Sequence, residues 1–75
     1  MPTLFRSNDC RVMMYSSDHL PPHVHILMRD GRDCTVDLLT LAISGHVAER
    51  EIRAALAWIV AEQGALLNEW RRYNP

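Results

Sequence analysis

The segment Asp18-His19-Leu20-Pro21-Pro22-His23-Val24-His25 gathers three of the chain's four histidines and two of its four prolines. Two chemistries follow from that spacing. The H-x-x-x-H-x-H arrangement of His19, His23 and His25 can hold a divalent metal such as zinc, because residues i and i+2 of a strand point the same way and a third imidazole can arrive from the preceding loop. Asp18 or His46 could supply a fourth ligand, and Asp37 an acceptor behind the ligands. The second chemistry is general acid-base catalysis, since histidine is the side chain whose ordinary pKa lies nearest neutrality. Here His23 and His25 act with Asp37 as the orienting carboxylate, with Tyr15 or Arg29 nearby. Such a set could deprotonate a ribose hydroxyl and protonate a leaving oxygen, as a metal-independent ribonuclease does. No nucleophile motif, glycine-rich phosphate loop or basic groove is evident beside it, so whether the chain is an enzyme stays open. The plain alternative is that His19 caps a loop while His23 and His25 decorate an exposed sheet face. The default expectation is therefore that no cofactor is bound, with a divalent metal as the alternative.

Several elements must position these residues. Pro21-Pro22 forbids helix and holds the backbone extended, so a stiff loop carrying Asp18 and His19 delivers the chain to His23. Before it, Leu4-Phe5-Arg6 and Arg11 to Tyr15 flank the turn formers Ser7-Asn8-Asp9, which predicts a β-hairpin. From His23 to Arg29, Val24, Ile26 and Met28 alternate with His23, His25 and Leu27, as in a strand with one buried face. Asp30-Gly31 marks a turn, and Cys34, Val36 and Leu38 resume the alternation. Ala42 to Val47 adds a short fifth strand with Ile43 and Val47 inward and Ser44 and His46 outward. Matching faces across the ladders puts His25 opposite Asp37, Asp37 beside Ser44 and Thr35 beside His46.

Ile52, Leu56, Ile59, Gln63, Leu66 and Trp70 recur at helical spacing, so one long C-terminal helix is expected from about Ala48 to Arg72, with Gly64 as the place for a bend or break. Trp58 falls off that stripe, on a part-exposed or partner-facing flank. The expected architecture is α+β, an antiparallel sheet of four to five strands packed against that helix.

The 75 residues form a single domain, 1–75, whose core must be thin, so burial against a copy of itself or another protein is expected. The net charge is −1 and the eight basic residues are all arginine. That balance does not support general affinity for a phosphate backbone, although local arginine contacts to RNA stay possible. Cys10 and Cys34 fit free thiols in a reducing cytoplasm, and no apolar run approaches the roughly 20 residues of a membrane span.

On the D-H-x-P-P-H-x-H core at Asp18 to His25, the preceding Met14-Tyr15-Ser16, Ile43-Ser44-Gly45, and Ala57-Trp58-Ile59 with Leu66-Leu67-Asn68-Glu69-Trp70, the chain resembles a family of small bacterial proteins catalogued as a domain of unknown function. It departs at Leu27, where relatives often carry a polar or acidic residue, and at Val47-Ala48, which replaces a frequent Leu-Pro. The resemblance implies a toxin-like component of a two-protein toxin-antitoxin module, with a small cognate antitoxin-like partner and an effector site around the histidines. The competing expectation is a non-catalytic metal-binding or protein-interaction module. In the toxin reading Asp18, His19, Pro21, Pro22, Tyr15 and His46 shape or line the site.

Overall fold

The computed structural model describes residues 3–75. Five strands, β1 (Thr3–Arg6), β2 (Cys10–Met13), β3 (His23–Met28), β4 (Asp33–Asp37) and β5 (Ile43–Gly45), form one antiparallel sheet whose spatial order is the sequence order. Each connection is a hairpin or short loop. Ser7 Oγ accepts the N–H groups of Asp9 and Cys10 to close the first turn, which is the role its side chain predicts there.

Alternation decides which face is buried. Val12, Val24, Ile26 and Val36 are fully buried on one side, and Met14 and Leu38 extend that layer beyond the strand ends. Ile52, Ala55, Ile59, Leu66 and Trp70 cover it from the helical segment. The fold is thus two layers; among the described residues no helix or strand covers the opposite sheet face, and only the loop carrying Asp18 and His19 lies against it, at its His23 end. Cys10 and Cys34 are free thiols within the core.

The expected single long helix is instead three segments: a 3-10 turn over Glu49–Ile52, α1 (Arg53–Ala61) and α2 (Gln63–Tyr73). The interruption falls at Glu62, whose φ of −106° and ψ of 14° leave the helical region. It lies two residues before Gly64, where helix propensity is weakest. Beyond it, the Gln63 side chain donates to the Leu38 carbonyl at 2.6 Å, tying the start of α2 to the end of β4. Trp58 is half-buried, with its ring 5.2 Å from that of Phe5. No helix among the described residues is long and apolar enough to cross a membrane.

Register departs from expectation by two residues on both sides of β4. His23, not His25, stands opposite Asp37, while His25 faces Thr35 and Thr35 faces Ser44. Between β4 and β5 the turn closed by the Asp37 N–H on the Ala42 carbonyl sets the pairing; between β3 and β4 the cause is the loop after β3. Met28 N–H donates to the Arg32 carbonyl at 2.7 Å, so Arg29-Asp30-Gly31 forms a three-residue loop centred on Asp30, with Gly31 last at φ +96°. A loop centred on Gly31 would have given the expected pairing. A shift of two preserves which side chains share a face. The uncovered face therefore carries successive rows: Arg6, Arg11, Leu27 and Asp33, then Met13, His25, Thr35 and Ser44, then His23 and Asp37.

Candidate functional site

The histidines are set by β3 and the carboxylate by the loop that leads into it. Asp18 follows a turn at Ser16-Ser17, in which Ser17 has φ +57°. Its backbone N–H donates to Asn74 Oδ1 at 2.7 Å, and Asn74 Nδ2 donates in turn to the carbonyls of Tyr15 and Trp70. The residue that follows α2 thus clamps the loop. On the other side of the loop, the Leu38 N–H donates to the Pro22 carbonyl at 2.9 Å, and the Leu20–Pro21 peptide is cis.

The Asn74 clamp and the Leu38–Pro22 bond hold the loop so that Asp18 Oδ2 lies within 2.9 Å of His23 Nε2 and 3.0 Å of His25 Nε2. The three atoms converge as a set of two imidazole nitrogens and one carboxylate oxygen of the kind that can ligate a cation. His23 is almost wholly buried, its ring 5.0 Å from Trp70, and His25 meets Tyr15 edge-on at 4.6 Å. The hydrogen bond from His25 is the main influence that holds the Asp18 carboxyl down at about 2; burial opposes it, and the His19 backbone N–H and the two imidazoles add to it.

His23 is the informative residue. Its Nδ1 lies 2.7 Å from the Pro21 carbonyl, an acceptor without a proton, so Nδ1 carries the hydrogen. In the neutral ring Nε2 is then a bare lone pair. That buried nitrogen makes no aligned hydrogen bond, despite its short approach to Asp18. A buried polar atom in that condition costs on the order of 1–3 kcal/mol unless something satisfies it. A divalent ion does so, and the Nδ1–H to carbonyl bond is the support that metal-binding imidazoles characteristically receive. Around a tetrahedral zinc, ligand atoms stand about 3.3 Å apart, so Asp18 would retreat by roughly 0.4 Å to admit one.

The other expected residues fall as follows. His19 projects outward, its ring stacked at 5.0 Å on His23 and its Nε2 3.8 Å from Asp18 Oδ1, outside the converging set. Asp37 does not orient His25. Its Oδ1 accepts the N–H groups of Leu39 and Thr40, capping the turn after β4, and the Thr40 bond foremost holds its carboxyl below the usual range. His46 lies beyond β5, exposed, and only its carbonyl is engaged, by Arg32. Beside the converging atoms, an open cleft of about 270 Å³ is lined by His19, Pro21, His23, His25, Thr35, Asp37, Ala42 and Ser44. Asn74 had no signal in the sequence beyond being an asparagine after a helix, a common way to end one.

No curated protein and no solved structure matches the chain. The sequence model of the family described as a domain of unknown function, DUF4160, matches residues 10–71, and the chain belongs to that family.

Proposed function

We propose that this is a divalent-metal-binding domain in which Asp18 Oδ2, His23 Nε2 and His25 Nε2 hold the ion. The observation that carries the reading is the buried His23 Nε2, which approaches a carboxylate oxygen at 2.9 Å without hydrogen-bond alignment while Nδ1 is fixed by Pro21. Two imidazoles and one carboxylate suit zinc and its first-row neighbours, and three protein ligands leave a position for water or a substrate atom. His23 and His25, two of the three residues that would hold the ion, also line the cleft shared with His19, Thr35 and Ser44. The bound ion would act as a Lewis acid or lower the pKa of a bound water.

Metal analysis of untagged protein, followed by calorimetric titration with zinc and manganese, tests this directly. One ion per chain is expected, with affinity falling at least tenfold in Asp18→Ala and His23→Ala. A folded wild-type chain that takes up no ion under excess metal would end the proposal. A second reading draws on the distances themselves, because 2.9 and 3.0 Å are hydrogen-bond lengths. In that reading His23 is an imidazolium paired with Asp18, and the pair moves protons without metal. It gains if no ion binds yet Asp18→Asn and His23→Gln abolish a biological effect of the wild type. The toxin-like role implied by family resemblance would act through this same cluster. Growth arrest by the wild-type chain expressed alone, relieved by Asp18→Ala, is its test.

A further inference from the structure

At the hairpin end of the uncovered sheet face, Arg6 stands directly across the ladder from Arg11, and Arg11 across from Leu27. Like charges placed opposite one another on a sheet destabilise it. Arg29 joins them just past β3, held by its backbone N–H donating to the Asp9 carbonyl at 2.8 Å. Among the described residues, none of these three guanidinium groups has a carboxylate within 4.0 Å or donates a side-chain hydrogen bond. The nearest acid in their row is Asp33, on the far side of Leu27. Of the other five arginines, Arg32 pairs with Glu51 and Asp30 and Arg72 with Glu69, while Arg50, Arg53 and Arg71, all on the helical segment, have no acid within 4.0 Å among the described residues and line no cleft together. Arg6, Arg11 and Arg29 line one open cleft of about 540 Å³, together with Ser7 and Asn8 of the first turn.

A strand pairing that sets cation against cation with no acid between them has no folding rationale. It has a binding one, because three planar donor forks around one cleft match the oxygens of a phosphate group. We infer that Arg6, Arg11 and Arg29 form a phosphate-binding site, with Ser7 and Asn8 at its rim. The inference is independent of the metal site. His25 nevertheless lies only two strand residues, about 7 Å, from Leu27 on the same face. A phosphodiester chain held by the arginines would therefore run towards the histidine cluster.

Fluorescence anisotropy with a labelled single-stranded oligonucleotide, and thermal shift with pyrophosphate at matched ionic strength, address the site and the source of the phosphate. Binding by the wild type should weaken at least tenfold in Arg6→Gln/Arg11→Gln and in Arg29→Gln, while the fold and any metal uptake persist. The double variant should melt no lower than wild type without ligand, since it removes a repulsion. Tight oligonucleotide binding with a salt slope near −2, about 0.7 per phosphate neutralised, identifies a nucleic-acid backbone. Binding of pyrophosphate alone identifies a free or terminal phosphate. Equal binding of citrate, retention of binding in the variants, or no binding of either phosphate probe would each overturn the inference.

Discussion

Asn74 Oδ1 accepts the backbone N–H of Asp18 at 2.7 Å, so the carboxylate at the head of the histidine stretch is anchored by the residue that follows the last helix. Asn74 touches neither histidine through any hydrogen bond; its side chain bridges Asp18 to Tyr15 and Trp70. Asn74→Ala should therefore lower metal affinity by about tenfold, the usual cost of losing a support behind a ligand. It should lower unfolding free energy by about 1 kcal/mol. Paired metal titration and urea denaturation check both values, and unchanged affinity would show that the loop holds Asp18 without the clamp.

The carboxylates at the two ends of the molecule give an acid limb to stability. Arg32 foremost holds Glu51 at about 2 from its ordinary 4.5, and the His25 hydrogen bond holds Asp18 at about 2 from 3.8. Both folded values are depressed, so their stabilisation is fully present above about pH 4.5 and is lost as pH falls towards 2. Urea midpoints of metal-free protein should drop between pH 5 and pH 2.5, and Glu51→Gln should shallow that drop. A flat profile would contradict the pairing.

Gly45 has φ +131°, and a Cβ there would lie 2.8 Å from both the Asp33 carbonyl oxygen and the Cys34 Cα. Both obstacles are backbone, so neither can swing aside. Gly45→Ala should cost about 2 kcal/mol or more and displace β5, with Ser44 at the cleft wall. Thermal melting and amide chemical shifts along β4 would measure it; a variant as stable as wild type would mean that β5 is not held at that distance.

The 5.0 Å separation of the His23 and Trp70 rings makes that indole a reporter of the cluster. Titration with zinc should change tryptophan emission, and the change should survive Trp58→Phe, which removes the indole packed on Phe5. Disappearance of the signal in Trp58→Phe would move the sensor away from the site.

Much of this arrangement was legible in the sequence, because alternation and turn chemistry are local. The Ser7-Asn8-Asp9 turn, the inward set of Val24, Ile26 and Met28, and the outward face of His25 all follow from period-two reasoning. Register between β3 and β4 failed by two residues because Gly31 occupies the last position of its loop rather than the middle, a distinction that the dipeptide Asp30-Gly31 does not encode. Asp37 consequently looked like the partner of His25, and Asp18 like a loop-shaping residue or one of two candidates, with His46, for a fourth ligand. The clamp by Asn74 was illegible for a different reason: it spans 56 residues and depends on where α2 ends. The helix break likewise falls at Glu62 and not at Gly64, where propensity alone would have put it.

Strand order that follows sequence order has a consequence for how the cluster comes together. Every pairing in the sheet closes a short loop, so His23 and His25 can be aligned by inexpensive local steps. Asp18 becomes fixed only when the far end of α2 docks, a closure that spans 56 residues. Partial detachment of that helix end would release the carboxylate while leaving both imidazoles in place. Ion occupancy and protection of the α2 amides from hydrogen exchange should therefore rise and fall together, each stabilising the other across the length of the chain.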